Sequence, residues 1–312
     1  MVAEQGYKLG RSLGEGEKPV ATNMSANRVP EEAVAPRPFE EIGTERLAEI
    51  DFVLTDIDDT LTTSGRLPAL AYHALERLHQ AGIVVIPVTG RPAGWCDMIA
   101  RLWPVDAVVG ENGAFYFACS AQGGMIREFA QPAELRREGR QRLDRLAETI
   151  LTTVPGARIS ADQSFREADL AIDFAEDGPR LSDAKIARIV TCFEEAGAVA
   201  KVSSIHVNGW FGHYDKLAMT RRLFGERYGL ELEKADRSVI FVGDSPNDAP
   251  MFGFFQNSVG VANFADFLND TATPPNWITR QAGGAGFAEV ADAILRAKGR
   301  TRGAPEGTND AS

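Results

Sequence analysis

Three aspartates stand within four positions of the stretch LTDIDDTLT, residues 54–62. They directly follow the apolar run 52–54, which is typical of a buried strand. Carboxylates repel one another and Asp is a poor strand residue, so this crowding calls for a chemical reason. Side chains two positions apart in a strand point the same way, which predicts that Asp56 and Asp58 lie on one side.

Two later apolar strands also end in polar residues. The strand IVVIPVTG reaches Thr89, and the strand SVIFVGD ends at Asp244, with Asp248 four residues further on. Ligands bind outside the carboxyl ends of the strands in an open parallel sheet, so all of these side chains are predicted to meet at one edge. Crowded carboxylates are stable around a hard divalent cation, and the predicted metal is Mg²⁺ because it demands oxygen ligands.

The elements that would position these residues alternate along the chain. Near-continuous apolar strands alternate with amphipathic helices, which predicts an α/β fold with a parallel sheet covered on both faces. The predicted strands are 52–54, 83–90, 106–110, 238–244 and 257–262. The predicted helices are 68–80, 95–103, 216–229, 249–255 and 287–299.

Residues 131–210 interrupt this alternation with a helix, a strand, a second helix and a strand-like stretch, 198–207. This pattern predicts a small α+β domain inserted into a larger core domain. The predicted division is a core of 49–130 and 211–298 with the insertion at 131–210.

The two ends of the chain lack a sustained hydrophobic period. Residues 1–48 are rich in Gly, Glu, Ala and Pro, and they are predicted to form a largely disordered extension with a short helix near 40–48. The stretch 299–312 is predicted to be a flexible tail.

Composition excludes several classes of partner. The net charge of -11 disfavours nucleic acid and anionic membranes, since both require a basic face. Three widely spaced cysteines make no disulfide framework and suit a reducing compartment. No apolar run approaches the roughly 18 residues that span a bilayer, so a cytoplasmic protein is expected. The sequence indicates no oligomeric state.

Four motifs carry a family resemblance. DIDDTLT, VTGR, DK before a helix, and GDSPND follow one another in the order found in phosphohydrolases of the haloacid dehalogenase superfamily, and the resemblance covers about 50–297. The large insertion, together with ENGA at 111–114, resembles the subgroup with an α+β cap (C2-type, subfamily IIB), which includes sucrose-phosphate and mannosyl-3-phosphoglycerate phosphatases. The resemblance implies a Rossmann-like core with a parallel sheet and an inserted α+β cap domain.

The resemblance also implies a role for each motif residue. Asp56 would be the nucleophile that becomes an aspartyl-phosphate, and Asp58 would be the general acid and then the base for water. Thr89 would bind the transferring phosphoryl group, and Lys216 would neutralise charge on nucleophile and phosphate. These roles agree with general chemistry, because a carboxylate nucleophile divides one hard displacement into two easier steps.

The implied Mg²⁺ site is built from the same motifs. The Asp56 carboxylate, the Asp58 backbone carbonyl and Asp244 would hold the metal, and Asn247 and Asp248 would orient that shell. Phosphoryl transfer needs positioning and charge neutralisation, which Mg²⁺ and a lysine supply.

Six further residues are candidate substrate contacts: Gly90, Arg91, Glu111, Asn112, Arg166 and His213. Arg91 contacts phosphate or pairs with an acidic neighbour. Glu111 and Asn112 meet substrate or simply form a tight turn, which Asn-Gly favours equally well. Arg166 is a candidate contact from the cap, and His213 stands three residues before Lys216.

The predicted function is hydrolysis of a small phosphorylated metabolite, taken as a sugar phosphate, by a Mg²⁺-dependent phosphatase. Two alternatives remain open. A phosphomutase of the same fold would keep the aspartyl-phosphate but return the group to substrate, and a catalytically idle protein would only bind phosphosugars.

Overall fold

In a computed structural model the described strands of the protein are short and form three sheets. The structure describes residues 35–302, except 121, 269 and 270. Its strands are β1 (Arg37–Pro38), β2 (Phe52–Thr55), β3 (Val84–Pro87), β4 (Val108–Gly110), β5 (Phe115–Cys119), β6 (Met125–Phe129), β7 (Arg158–Ile159), β8 (Leu170–Asp173), β9 (Val199–Val202), β10 (His206–Trp210), β11 (Val239–Gly243), β12 (Ser258–Gly260) and β13 (Trp277–Ile278).

The helices connect these strands. They are α1 (Thr44–Ala48), α2 (Ala69–Gln80), α3 (Ala93–Leu102), α4 (Ala133–Thr153), α5 (Asp183–Glu195), α6 (Lys216–Leu223), α7 (Leu232–Ala235), α8 (Ala249–Phe254) and α9 (Gly283–Arg302). The predicted helix 216–229 changes to a π-helical turn over Phe224–Tyr228, and Gly229 ends it in the left-handed conformation with a φ of 65°. Within the described residues, every helix is too short or too polar to cross a membrane.

The largest sheet has six parallel strands in the order β1-β13-β12-β11-β2-β3. Its central strands β2 and β11 are buried on both faces because helices cover both. Val53 packs in the same cluster as Leu75 of α2, and its neighbour Leu54 packs on the other face with Leu223 of α6. The predicted α/β fold with a parallel sheet is confirmed.

A second, antiparallel sheet lies entirely within the predicted insertion. Its strand order is β7-β8-β10-β9, and α4 and α5 share a buried cluster with it. The prediction of one strand over 198–207 is wrong, because β9 and β10 form a hairpin here. Ser203 reverses the chain, since its hydroxyl oxygen accepts hydrogen bonds from the N–H groups of Ile205 (3.3 Å) and His206 (3.0 Å).

A third sheet has the strand order β4-β5-β6. Of its strands, the sequence predicts only β4. A parallel bridge between Val88 and Val109 ties it to the edge of the large sheet. Phe115 and Phe117 of β5 stack with ring centroids 4.2 Å apart, and both also contact the ring of Phe129 in β6. Aromatic pairing across these strands gives the hairpin its apolar face.

The short helix predicted near 40–48 is present as α1, but the remainder of 35–48 is ordered rather than disordered as predicted. Strand β1 pairs with β13, and Phe39, Ile42 and Leu47 are buried in the core beside α9. These three apolar side chains follow no helical or strand period, but they order the segment because they pack on the apolar surface of α9. The tail prediction is wrong for 299–302, which continue α9, whereas the predicted extension at 1–34 and the tail from 303 lie outside the described residues.

Candidate active site

Asp56 follows β2 directly and is fixed by the backbone around it. Its N–H donates to the Val242 carbonyl of β11 at 2.9 Å, and its Oδ1 accepts from the Ile57 N–H at 2.8 Å. Asp244 follows β11, the neighbouring strand. The two carboxylates therefore lie at the carboxyl edge of the large sheet. Ligands of open parallel sheets bind at this edge.

A lysine and a third aspartate join this pair. Lys216 Nζ lies 3.3 Å from Asp56 Oδ2 and donates to Asp248 Oδ1 at 2.7 Å. Asp248 Oδ2 in turn accepts from the Asp244 N–H at 3.2 Å, and Thr60 Oγ1 donates to Asp244 Oδ1 at 3.1 Å. All five side chains are buried.

Burial dominates the electrostatics of this cluster. It raises the pKa of Asp56 to about 7, against the opposing effect of Lys216, and Asp248 and Asp58 raise that pKa further. Burial and then Asp56 raise the pKa of Asp244 well above its usual range. Burial alone would lower the pKa of Lys216, but Asp248 and Asp56 hold it above its ordinary value. One lysine thus leaves the negative charge incompletely balanced.

This donor set fits a divalent cation. Carboxylate oxygens of Asp56, Asp244 and Asp248 all lie within 4.8 Å of one another. Asp248 has a partner on each oxygen, which suits the orienting role implied for it. Buried oxygen ligands with raised pKa values are the arrangement that a hard cation stabilises, because its charge favours their ionised forms.

Asp58 is held differently from Asp56. The Arg91 guanidinium donates to both Asp58 oxygens, at distances of 2.7–3.0 Å. Arg91 Nη1 also donates to Glu176 Oε1 at 3.0 Å, and His206 Nε2 lies 2.8 Å from Glu176 Oε2. Of the two interpretations of Arg91, the structure favours pairing with acidic neighbours, and this pairing links the core to the inserted unit.

Arg166 is not brought to the cavity beside Asp56. Its side chain is fully buried, and its guanidinium donates to Asp162, to Asp169 and to the Gly90 carbonyl at 3.0 Å. The Asn208 amide also donates to Asp169, at 2.9 Å. In this conformation Arg166 joins the inserted unit to the Gly90 loop, and its donors are occupied within the protein.

The ENG sequence is a tight turn with three structural uses. Glu111, Asn112 and Gly113 all have positive φ angles. Glu111 accepts four backbone hydrogen bonds, one from Ala93 and three from residues 167–169. The Asn112 amide packs against Gly90, and a Cβ at Gly113 would lie 2.0 Å from the carbonyl oxygen of the residue before Lys216. The turn therefore positions the motif loops rather than opening onto the cavity.

The remaining predicted residues divide into two groups. Gly90 and Asn247 line the cavity beside Asp56. Thr89 is buried, and its Oγ1 accepts from the Arg91 N–H at 3.0 Å. His213 is exposed and is not among the residues that line this cavity.

The turn 203–205 of the inserted unit covers the cluster. It leaves a cavity of about 20 Å³ beside Asp56, which is room for about one water molecule. Two larger cavities, of about 300 Å³ and 330 Å³, lie next to it. Ser204 lines all three, so the tip of this turn separates them. Sequence reasoning missed Glu176, Ser204 and His206, because they belong to none of the four motifs.

Comparison with known proteins supports the family resemblance. Residues 53–131 match a family model of haloacid dehalogenase-like hydrolases, which confirms the resemblance inferred from the motifs. No curated protein matches the sequence significantly.

Solved structures share the fold. A Thermoplasma acidophilum protein has a TM-score of 0.61 at 18% identity, over 79% of this chain and 98% of that one. A haloacid dehalogenase-like hydrolase from Bacteroides thetaiotaomicron gives 0.54 at 18% identity, over 79% and 99%. A sucrose-phosphatase from Synechocystis, solved with sucrose and phosphate, gives 0.55 at 14% identity, over 78% and 97%.

Proposed function

We propose that the protein is a Mg²⁺-dependent phosphomonoester hydrolase that acts on a sugar phosphate through an aspartyl-phosphate. The observation that carries this proposal is the buried Asp56 carboxylate at a strand end, 3.3 Å from Lys216 Nζ and within one oxygen cluster with Asp244 and Asp248. The odd number and wide spacing of the cysteines favour the cytoplasm as its compartment.

The first step transfers the phosphoryl group to the protein. An Asp56 oxygen attacks phosphorus, and the bond from phosphorus to the leaving oxygen breaks. Asp58, protonated once it has left the ion pair with Arg91, gives its proton to that oxygen. Lys216 neutralises charge on Asp56 and on the phosphoryl group. Asp56, Asp244 and the Asp58 carbonyl would hold Mg²⁺, which supplies the further positive charge that phosphoryl transfer requires.

The second step returns the protein to its starting state. Asp58, now ionised, takes a proton from water as the water oxygen attacks phosphorus. The bond from phosphorus to the Asp56 oxygen breaks, and inorganic phosphate leaves. Transfer to water rather than to a second substrate oxygen is what separates this hydrolase from a phosphomutase.

Substrate entry requires the inserted unit to move. The turn 203–205 lies over Asp56 and leaves room for only about one water molecule there, so we propose that it withdraws to admit substrate and closes afterwards. Closure would exclude bulk water from the reacting group while the larger cavities hold the leaving group.

The test is phosphate release from a panel of sugar phosphates. We expect turnover with Mg²⁺, loss of turnover in EDTA and recovery when Mg²⁺ is restored. Asp56→Asn should abolish turnover with the circular dichroism spectrum unchanged, whereas Asp177→Asn, on a nearby turn, should retain it. Full activity after exhaustive chelation, or in Asp56→Asn, would overturn the proposal.

A further inference from the structure

The cavity of about 330 Å³ is the natural place for the leaving group. It is lined by Asp58, the proposed proton donor, and by Arg91 from the same ion pair. The small cavity beside Asp56 shares both of these residues with it. A substrate whose phosphoryl group meets Asp56 would therefore extend past Asp58 into this larger space, which has the size of a small-metabolite site.

The charges that line this space are mainly negative. Asp58, Asp59 and Glu176 line it, and Arg91 is its one cationic residue among those the structure describes. Arg91 is already shared between Asp58 and Glu176, at 2.7 Å and 3.0 Å. Asp58 and Glu176, when both are ionised, therefore share a single guanidinium, and Asp59 has no cationic counterpart among the described lining residues.

The neighbouring cavity of about 300 Å³ has the same character. Asp59, Asp244 and Asp266 line it, and its described lining contains no lysine, arginine or histidine. A cation bound at Asp244 would offset that carboxylate, but Asp59 and Asp266 would remain. An anionic group placed in either space would meet like charge at short range, where screening by salt is incomplete.

The position of Glu176 is fixed by hydrogen bonds of its backbone and by contacts of its side chain. Its backbone N–H donates to Asp173 Oδ1 at 2.7 Å, and the same oxygen accepts from the Ala175 N–H at 2.8 Å. Its side chain is 28% exposed. One of its oxygens lies 3.0 Å from Arg91 Nη1, and the other lies 2.8 Å from Nε2 of the buried His206. A fixed carboxylate at the wall repels an anion more effectively than a mobile one, which could turn towards solvent.

Hydroxyl groups complete the wall. Thr62, Ser64 and Ser204 line the 330 Å³ cavity, and each can donate and accept hydrogen bonds. Fixed carboxylates also accept hydrogen bonds from hydroxyl groups. The lining is therefore suited to a neutral group rich in hydroxyls.

From this lining we infer that Glu176 and Asp59 form a charge filter that selects the leaving group. The filter accepts a neutral polyhydroxylated alcohol and rejects one with a second anionic group, such as a carboxylate or a second phosphate. This inference rests on the proposed function, because it concerns the part of a phosphate ester that does not react.

The test compares two esters that differ at one group. Glycerol 1-phosphate carries a hydroxymethyl group where 3-phosphoglycerate carries a carboxylate. We expect kcat/KM to favour the glycerol ester by about tenfold or more, the size of one like-charge interaction near a protein surface. Higher ionic strength should narrow the ratio by screening the repulsion.

Variants that remove one negative charge each test whether Glu176 and Asp59 cause this selectivity. Glu176→Gln and Asp59→Asn should each narrow the ratio severalfold, chiefly by raising kcat/KM for 3-phosphoglycerate. Asn suits position 59, where φ is 53°. Asp177→Asn removes the same charge one residue from Glu176 but outside the cavity lining, and it should leave the ratio unchanged.

The possible outcomes distinguish failure of the charge filter from failure of the proposed hydrolase activity. Hydrolysis of both esters with equal efficiency, or a ratio that none of the variants and no salt concentration changes, would overturn the filter and leave the proposed hydrolase intact. Failure to hydrolyse any phosphate ester would overturn both.

Discussion

Two aspartates of the same motif have different surroundings, and these surroundings fit different roles. Asp56 is buried, and its Oδ2 faces Lys216, a cation that can neutralise an attacking carboxylate. The Asp58 side chain is 21% exposed and is bound by the Arg91 guanidinium, at the border of the larger cavity. A group at that border can exchange a proton with a leaving alcohol or with water, which is the work of a general acid and base.

The role of Asp58 predicts a dependence on the leaving group. Asp58→Asn should reduce turnover of a sugar phosphate by about 10²–10⁴-fold, because an alkoxide needs a proton as it leaves. Formation of the phosphoenzyme from an aryl phosphate should be reduced far less, since a phenolate leaves without one. Rapid-quench kinetics with both esters measures the difference, and equal losses would contradict the general-acid role.

At the scale of elements, the strand-end motifs could be predicted from the sequence because each apolar run stops at its polar residue. Thr89 and Asp244 were placed correctly at strand ends for that reason. Asp162 and Asp169 lie within four residues of Arg166, but its third partner, the Gly90 carbonyl, comes from the core and could not be predicted from the local sequence. The sequence does not predict the hairpin of β5 and β6 or the strand β1, since tertiary contacts rather than a local period stabilise them.

Glu111 illustrates how one buried carboxylate can join two elements. Its Oε1 accepts from Ala93 and Glu167, and its Oε2 accepts from Ala168 and Asp169, at 2.6–3.1 Å. Glu111→Gln replaces one acceptor with an amide that faces two N–H donors. We expect the free energy of unfolding to fall by about 2–3 kcal/mol, since buried donors lose their partners.

Urea denaturation measures this loss against a matched exposed variant. Glu134→Gln, on the outer face of α4 with a side chain 71% exposed, should change the free energy of unfolding by no more than about 0.5 kcal/mol. Equal effects of the two substitutions would show that Glu111 does not anchor the segment 167–169.

Glu176 predicts how the stability of the inserted unit depends on pH. His206, and after it Arg91, hold the pKa of Glu176 below its ordinary value of 4.5, against the opposing effect of burial. A carboxyl group with a lowered folded pKa contributes stability above its unfolded pKa, and that contribution is lost as pH falls through the folded pKa. The stability difference between wild type and Glu176→Gln should therefore shrink as pH falls below about 4.5. Urea titrations at several pH values measure it, and a difference that grew on acidification would contradict the sign.

At the scale of the whole molecule, the inserted unit packs against α3 through Phe165. A Cβ at Gly94 would lie 2.9 Å from the Phe165 Cβ, so glycine is what allows this close approach. A Cβ at Gly139 in α4 would meet no neighbouring side chain or segment within 4 Å, which makes this position a matched helical control.

These two glycines predict opposite effects of alanine. Gly139→Ala should raise the free energy of unfolding by about 0.5–1 kcal/mol, the ordinary gain from replacing glycine within a helix. Gly94→Ala should give no such gain, and it should lower kcat/KM for sugar phosphates because the unit closes less completely. Unchanged turnover in Gly94→Ala would argue that closure against α3 is not needed for the reaction.

The proposed reaction passes through a covalent phosphoryl group on Asp56, and the Asp58→Asn variant is suited to reveal it. With an aryl phosphate and Mg²⁺, this variant should still form the aspartyl-phosphate but should lack the base that directs water to it.

The decisive measurement is mass spectrometry of peptides after acid quenching of that reaction. We expect one phosphoryl group on the peptide that contains Asp56, absent when EDTA is added and absent in the double variant that also carries Asp56→Asn. Steady turnover by Asp58→Asn with no phosphoryl group on that peptide, or a phosphoryl group that persists in the double variant, would contradict it.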